Sequence, residues 1–257
     1  MISSIARVFQ LRYIVTSTRY FLGFVFLISF LFGLYVLVVP KYELGNFFFG
    51  RSQRFYNSSL AKFFYTQSIK FDTDNNKPVP YVHHQLSRVY FIEGNLEKAL
   101  EESTIELTVY PTHYHTHYIE GLTLGYMGMP REAIEAFQRY IDGNPTTWAA
   151  RNDKAWLEFR MGKIKEAVAT IAPAYLQYPD NPWILNTYGT LLINMHRYEE
   201  ATTMLNHAQK IVNSMTEREW GGAYPGNDPR IYGTGLSAMK KSIDTNLELA
   251  KIKLQPK

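Results

Sequence analysis

The pattern of apolar and polar positions divides the chain into two parts. Residues 20–39, YFLGFVFLISFLFGLYVLVV, form one apolar run without a charged side chain. Beyond it, apolar side chains recur every three or four positions, as in GMPREAIEAFQRYIDGNP at residues 128–145. That spacing places them on one face of an amphipathic helix. The sequence therefore predicts one apolar helix followed by a series of amphipathic helices.

The apolar run is long enough to cross a bilayer. As a helix it is roughly 30 Å long, which matches the hydrocarbon core of a membrane. A buried core helix would carry more polar side chains than this run, whose most polar member is Ser29. A cleavable signal peptide would have a shorter apolar region and a small-residue cleavage site, whereas this run continues into VVPKYELG. We therefore predict an uncleaved transmembrane helix at 20–39 behind a basic tail at 1–19.

The charges that flank the run bear on its orientation. The tail carries three arginines and no acid, and basic residues also follow the run at Lys41, Arg51, Arg54 and Lys62. The short, purely basic tail favours a cytoplasmic N-terminus and an exported C-terminal part, as in a bacterial inner-membrane protein. An acid-free tail that contains Arg and Ser is also typical of a mitochondrial presequence. A mitochondrial membrane therefore stays open as the alternative.

Three residue types recur every 34 positions in the amphipathic part. They are Gly94, Gly128 and Gly162, then Ala99, Ala133, Ala167 and Ala201, and then Pro111, Pro145 and Pro179. A glycine adopts the positive φ that ends a helix, and a proline stops the following helix. The fourth unit has His196 at the glycine position and Asn213 at the proline position. The period predicts four helix–turn–helix units.

The alanine series has a partner series of small residues on the first helix of each unit. These residues are Ser87, Gly121, Ala155 and Gly189, again 34 apart. Small side chains at both positions let the two helices of a unit cross closely. Larger side chains at Phe137, Ile171 and Leu205 then fill the space between successive units, and Ser103 takes that position in the first unit.

This pattern resembles the tetratricopeptide repeat, a helix–turn–helix unit with a 34-residue period. The resemblance covers residues 79–213 as four units, roughly half the chain, and it implies an all-α solenoid that binds a peptide or protein in its concave groove. Residues 40–78 form a juxtamembrane segment, in which 58–71 predict a lone degenerate helix and 72–80 a linker.

Residues 214–257 predict a cap over the open end of the stack. The stretch WGGAYPGNDPR at 220–230 reads as a loop rich in Gly and Pro. The helix after it carries one apolar stripe, formed by Leu236, Met239, Ile243, Leu247, Ala250 and Leu254.

Composition and motifs exclude several kinds of chemistry. The chain has no cysteine, which rules out disulfides, thiolate metal sites and cysteine nucleophiles. Its net charge of +4 is too small for a nucleic-acid-binding surface, because the tail arginines supply three of the four charges. No catalytic triad, phosphate loop or pair of carboxylates stands out. We therefore predict a protein that is not an enzyme, has no cofactor and does not bind nucleic acid.

A histidine-rich region is the candidate for metal chemistry. Its members are His83, His84, His113, His115 and His117. His113 and His117 have the i, i+4 spacing of a helical metal pair, but no acidic residue is identified near them in sequence. His83 and His117 also take equivalent packing positions in successive units. We predict packed histidines and no metal site, with a metal-handling or enzymatic protein as the alternative.

The resemblance also implies which positions face the groove. One such position of the first helices holds His84, Tyr118, Asn152 and Asn186, and neighbouring positions hold Arg88, Tyr126, Trp156, Phe159 and Arg160. An Asn amide has both a donor and an acceptor for a peptide main chain, and aromatic side chains are enriched at binding hot spots. The alternative for the two Asn is that they cap or bridge neighbouring helices. We predict a membrane-anchored interaction scaffold, or an assembly or translocation accessory, that holds a partner with these nine residues.

Overall fold

Helices form every regular element in the part of the chain that the structure, a computed structural model, describes: residues 2–51, 57–75, 79–223 and 232–254. They are α1 (Ile2–Val38), α2 (Lys41–Asn46), a π-helical turn (Phe47–Arg51), α3 (Ser58–Asn75), α4 (Val82–Ile92), α5 (Leu96–Val109), α6 (Thr116–Tyr126), α7 (Pro130–Gly143), α8 (Trp148–Arg160), α9 (Ile164–Gln177), α10 (Pro182–Asn194), α11 (Tyr198–Ser214), α12 (Glu217–Gly222) and α13 (Tyr232–Leu254). From α4 to α11 consecutive helices pair as four antiparallel hairpins, and each hairpin packs on the next. The predicted all-α solenoid is confirmed.

The C-terminal part of α1, Thr18–Val38, is apolar, and none of its residues is buried. The span has 21 residues, so it is about 31 Å long, and its length and composition suffice to cross a membrane. The basic tail continues into it as one helix. Beyond Pro40, the Lys41 ammonium donates a hydrogen bond to the carbonyl of Val36. That contact satisfies one of the last carbonyl groups of α1, which have no partner inside the helix.

The turns inside the hairpins repeat the same backbone conformation every 34 residues. Gly94, Gly128 and Gly162 have φ values of 77°, 77° and 76°. His196, which replaces glycine in the fourth turn, has φ 61°. The left-handed region costs a non-glycine residue about 1–2 kcal/mol. The turn geometry is therefore imposed by the packing of the two helices, and His196 adopts it without the freedom of a glycine.

Prolines set the length of the second helix in each hairpin. Helices α5, α7 and α9 have 14 residues each and end two residues before Pro111, Pro145 and Pro179. The residue before a proline is disfavoured in the helical region, and here its φ lies between −130° and −141°. In the fourth unit Asn213 takes the proline position, and α11 runs for 17 residues to Ser214. The missing proline accounts for the extra turn.

The two helices of the second and of the fourth hairpin cross where a glycine meets a large side chain. A Cβ atom on Gly121 would lie 2.8 Å from Cδ1 of Phe137, and one on Gly189 would lie 2.7 Å from Cγ of Leu205. Phe137 and Leu205 thus fill the crossing of their own hairpin, whereas the sequence prediction assigned them to the space between units. The four alanines of the repeat, Ala99, Ala133, Ala167 and Ala201, are completely buried.

The leading unit is a hairpin, and the prediction of a lone helix there is wrong. Helix α2 and the π-helical turn pack against α3, and Gly45 lies so close to the Tyr65 ring that a Cβ atom would overlap it. Ala61 and Tyr65, four residues apart and both buried, repeat the spacing of Ala133 and Phe137. Helix α3 also extends to Asn75, into the predicted linker; residues 76–78 of that linker lie outside the described part.

The last helix, α13, packs against α11 and α10. Five members of its predicted stripe are buried: Leu236, Met239, Ile243, Leu247 and Ala250. Leu254, the sixth, is exposed, because it lies in the last turn of α13 beyond the buried part of the helix. The apolar face of α13 therefore covers the end of the stack up to Ala250.

The predicted loop at 220–230 begins later than expected. Helix α12 includes Trp220 and Gly222, and residues 224–230 lie outside the described part of the chain. Thr216 and Glu219 form a capping box at the start of α12, in which each side chain bonds the backbone N–H of the other residue. Thr216 followed three positions later by Glu219 is the sequence pattern from which this helix could have been predicted.

Replacing Ala133 with Leu is expected to lower the free energy of unfolding by about 1–3 kcal/mol, because a larger side chain overpacks the crossing. The measurement is the denaturation midpoint of residues 40–257. Glu135→Leu is the matched control on the same helix, since Glu135 is exposed and its ion pair with Arg139 contributes little. Equal midpoints for the Ala133 variant and the unsubstituted fragment would show that α6 and α7 do not cross at Ala133.

Candidate functional site

A groove of about 930 Å³ runs along the first helices of the first two hairpins to the start of α8. We call it the proximal groove. Its lining residues include His84, Arg88, Phe91, Ile92, His115, Tyr118, Leu122, Tyr126, Tyr140, Trp148 and Tyr178. Four of the nine predicted site residues are among them, namely His84, Arg88, Tyr118 and Tyr126. Most of the side chains that line the groove are aromatic or aliphatic.

The charge of the proximal groove comes from Arg88. It is the only Lys, Arg, Asp or Glu among the described residues that line the groove. Its guanidinium lies 5.0 Å from the ring centroid of Phe49, and Nη1 donates a hydrogen bond of 2.7 Å to Gln85. Desolvation, followed by the nearby charges of Arg88 and His115, lowers the pKa of His84 to about 3. His84 is thus neutral at physiological pH, and the groove favours a neutral or acidic ligand.

The start of α4, which carries His84, is held by a buried carboxylate. Glu106 is fully buried and accepts hydrogen bonds from the backbone N–H of Tyr81 and of His84, at 2.9 and 3.2 Å. A carboxylate is favourable there because the N-terminus of a helix carries partial positive charge. The His113 ring stacks on that of Tyr81 at 3.9 Å, and its Nδ1 lies 2.6 Å from Glu106. This cluster fixes the direction in which α4 presents His84 and Arg88.

Tyr118 links the second hairpin to the third at the edge of the groove. Its hydroxyl donates a hydrogen bond of 2.8 Å to Asp153 on α8. Asn152 Nδ2 donates a longer one, 3.4 Å, to the other carboxylate oxygen. Desolvation raises the pKa of Asp153 to about 6, and these two hydrogen bonds oppose the rise. Tyr118 therefore has a structural partner in addition to its surface in the groove.

Asn152 and Asn186 make hydrogen bonds between helices. Asn152 is buried, and its Oδ1 accepts from the hydroxyl of Thr187 on α10 at 2.8 Å. Asn186 accepts from Asn246 at 2.9 Å and donates to Ser242 at 3.3 Å, both on α13. These are the bridging contacts that the sequence left open as an alternative. Neither residue is among those that line the proximal groove.

The remaining predicted residues lie beyond the proximal groove on α8. Trp156 is exposed, and its ring centroid lies 5.4 Å from that of Phe159. Arg160 is exposed in the last turn of the same helix.

Tyr126, at the end of α6, is exposed and packs edge-on against Phe91 at 5.4 Å. The structure thus separates the nine residues into a groove set, a helix-bridging pair and a set on α8, in which Trp156 and Arg160 are exposed and Phe159 is partly buried.

Several groove residues were missed by reasoning from sequence. They are His115, Tyr140, Trp148 and Tyr178. Tyr178 belongs to a position that repeats every 34 residues immediately before the prolines, as Tyr110, Asn144 and Tyr178. Asn144 lines the groove as well, so that position was the available signal. The turn that it belongs to brings the end of one hairpin next to the first helix of the next.

Three of the five histidines of the predicted cluster are each paired with a different glutamate. His83 lies 2.6 Å from Glu102, His113 lies 2.6 Å from Glu106, and His117 lies 2.7 Å from Glu120. The expectation that no acidic residue lies nearby is wrong, because α5 brings Glu102 and Glu106 to the histidines and Glu120 is one helical turn from His117. Among the described residues, no three or more potential metal ligands lie together.

Comparison with known proteins places the fold. No protein-family model matches the sequence, and no curated protein matches it. The solved structure of YrrB, described as a TPR protein with an unusual peptide-binding site, is 19% identical; the match covers 68% of this chain and 87% of that chain with a TM-score of 0.55. This chain has the tetratricopeptide-repeat fold. A MamA RS-1 double mutant (14% identity, 68% and 97% coverage, TM-score 0.58) and a tetratricopeptide repeat protein from Parabacteroides merdae (18%, 82% and 83%, 0.55) are also similar.

The contacts of the two Asn give a prediction about stability. Asn152→Ala combined with Asn186→Ala is expected to lower the free energy of unfolding by about 1–3 kcal/mol, since each lost hydrogen bond contributes about 0.5–1.5 kcal/mol. Thermal melts of residues 40–257, followed by circular dichroism, measure the effect. Asn194→Ala is the control, because Asn194 is exposed and bonds only within its own helix. An unchanged melting temperature of the double variant would show that the two amides do not stabilise the fold, and they would again be candidates for binding the partner.

Asp153 gives a prediction about pH. Its pKa in the folded protein, about 6, is above the ordinary value of 3.8. The folded state therefore holds the proton more tightly, and the destabilisation is absent below pH 4, grows between pH 4 and 6, and is complete above pH 6. Asp153→Asn should stabilise the protein by about 1–2 kcal/mol at pH 8, allowing for solvent screening, and by nothing at pH 4.

Denaturation midpoints measured across this pH range test the Asp153 prediction. Asn can still accept the hydrogen bond of Tyr118, so the substitution removes the charge and keeps that contact. Asp142→Asn serves as the control, because Asp142 is exposed. A stabilisation that is the same at pH 4 and pH 8 would contradict the assignment.

Proposed function

We propose that the protein is a membrane-anchored scaffold that binds an extended segment of a protein partner in the proximal groove. The observation that carries the proposal is the groove itself, an apolar and aromatic channel on a rigid solenoid with Arg88 as its charged group. A groove of about 930 Å³ is in the size range of ligand-binding clefts, roughly 300–1,000 Å³. The segment it suits has apolar or aromatic side chains and no basic residue close to Arg88.

The composition of the groove supports binding of a protein segment. Tyr and Trp are enriched among the residues that dominate binding energy, since they offer large, stiff surfaces and a polar tip. Tyr118, Tyr126, Tyr140 and Trp148 supply such surfaces here. The similar protein YrrB is described as having a peptide-binding site, which agrees with this use of the fold. Trp156, Phe159 and Arg160 extend the proposed surface along α8, while Asn152 and Asn186 hold the helices behind it.

We propose further that the exposed span Thr18–Val38 anchors the scaffold in a membrane. An apolar core helix of a soluble domain would be mostly buried, whereas no residue of this span is buried. The acid-free basic tail supports a cytoplasmic N-terminus with the solenoid on the other side. The bacterial inner membrane is the compartment we favour, and a mitochondrial membrane is the alternative. The paired histidines offer no geometry that favours a metal-handling or enzymatic role.

Membrane anchoring predicts that the full-length chain stays in the pellet after washing at alkaline pH with carbonate, because a spanning helix is held by its buried apolar surface. Residues 40–257 alone are expected in the supernatant. Immunoblotting of the two fractions is the measurement. Release of the full-length chain by carbonate would refute the anchor.

The same chain, fused after Lys257 to a reporter that is active only after export, tests the orientation. An active reporter is expected, because the solenoid is proposed to lie across the membrane from the basic tail. A cytoplasmic reporter at the same site serves as the reciprocal control. Activity of that reporter alone would reverse the orientation and leave the anchor in place.

Binding in the groove predicts that Tyr126→Ala weakens partner capture about fivefold or more, since truncating a hot-spot aromatic residue costs more than about 1 kcal/mol. The partner is first identified by crosslinking from a single cysteine in place of Thr146, an exposed groove-lining residue, in the otherwise cysteine-free, membrane-anchored chain. Titration with the partner's purified binding segment then gives the affinity.

Leu176→Ala is the matched control for Tyr126. Leu176 is 81% exposed and Tyr126 is 75% exposed, but Leu176 lies on α9 and does not line the groove. The control variant should bind like the unsubstituted protein. Equal affinities for all three proteins would place the binding surface outside the proximal groove.

A further inference from the structure

Four phenylalanine rings form a continuous row on the leading hairpin, directly after the exposed span. The rings of Phe47 and Phe48 lie 5.2 Å apart, Phe48 stacks on Phe64 at 5.6 Å, and Phe64 lies 5.2 Å from Phe63. The inner ring of Phe64 is buried, but Phe47 and Phe63, at the two ends, are 40% and 53% exposed. The row therefore joins the π-helical turn to α3 as one aromatic surface.

Helix α3 extends this surface along its outer face. Leu60 and Phe71 are exposed like Phe63, and at 100° per residue the three side chains lie within about 80° of one another. Lys70 is exposed beside them on the same side of the helix. An exposed apolar face of this kind normally marks an interaction site. The opposite face of α3 carries the buried Ala61 and Tyr65.

The position of the aromatic row in the chain indicates what covers it. Phe47 follows Val38, the last residue of the apolar span, by nine positions, most of them in α2. Two extended residues and a short helix reach at most about 20 Å, so Phe47 stays close to the end of the span. The hydrogen bond from Lys41 to the Val36 carbonyl holds the start of α2 at the end of α1.

We propose that the face formed by Phe47, Leu60, Phe63 and Phe71 lies in the interfacial zone of the membrane that α1 crosses. The inference rests on the proposed anchor and adds a second, peripheral contact with the same bilayer. Apolar rings and Leu side chains of surface-lying helices enter the boundary between headgroups and acyl chains, and nearby lysines are attracted to anionic lipids. Lys70 is placed for that role.

This contact would fix the height and tilt of the solenoid above the membrane. The leading hairpin packs on the first repeat through one buried cluster, to which Phe49, Tyr65, Leu86 and Val89 belong. Lys62 on α3 also forms an ion pair of 2.7 Å with Glu93 at the end of α4. The proximal groove begins on α4, so a leading hairpin bound to the bilayer holds the groove at a set distance from the surface.

Site-specific labelling of the full-length chain tests the proposal, because the protein has no cysteine of its own. Single cysteines at Phe63 and Phe71 are coupled to an environment-sensitive fluorophore. The labelled chains are reconstituted into vesicles of phosphatidylcholine and phosphatidylglycerol, without nitroxide lipids or with lipids that carry a nitroxide either near the top or near the end of the acyl chain. Ser29→Cys, inside the span, is the positive control, and Glu135→Cys, exposed on α7, is the negative control.

Blue-shifted emission and quenching by the nitroxide lipids are expected at positions 63 and 71, and neither at position 135. Quenching at position 29 with water-like, unquenched emission at 63 and 71 would overturn the inference while leaving the anchor intact; the aromatic face would then belong to a protein partner. Absence of quenching at position 29 would instead refute the proposed anchor. The two failures are thus told apart in one set of samples.

Discussion

The hairpins of this protein depend on a close crossing of their two helices, and in the second and fourth hairpins a glycine on the first helix meets a large side chain on the second. Gly121 with Phe137 and Gly189 with Leu205 show how little space there is, since a single added carbon would collide with the facing side chain. A completely buried alanine lies one helical turn before each large residue. The close approach requires a tight turn between the helices, and that turn uses the left-handed backbone at the glycine position. The residues that this crossing and its turn require recur every 34 positions, and they give the sequence its period.

The crossing of the two helices does not involve the groove-facing positions of the first helices, so the residue type at those positions can differ between units. His84 and Tyr118 occupy the same position in successive units, yet one is a neutral imidazole and the other a phenol bonded to a buried carboxylate. Rigid hairpins hold these side chains at a constant spacing, and the buried Glu106 fixes the start of α4 from behind. The proximal groove is thus made from residues that differ between units and are held on a repeated frame.

Sequence alone predicts the frame well and the groove in part. Periodic contacts are local, so the positive φ at Gly128 and the helix end before Pro145 follow from residue type. The role of Asn152 depends on Thr187, 35 residues away, and no local pattern records that hydrogen bond. Glu106 was missed for the same reason, because a neighbouring helix brings it to His113, whereas Glu120 lies only three residues after His117 and was visible in the sequence. What the prediction lacked was the identity of side chains that meet across hairpins.

Arg88 lies where the leading hairpin and the groove meet. Its guanidinium lies over the Phe49 ring, which is buried in the cluster that joins the leading hairpin to the first repeat, and the same side chain lines the groove. A cation over an aromatic ring is attracted to the ring face, so the position of Phe49 influences where the charge of the groove lies. Any shift of the leading hairpin against α4 would therefore move the one Lys, Arg, Asp or Glu side chain found among the described lining residues. The packing that joins the leading hairpin to the solenoid therefore also influences the charge of the proximal groove.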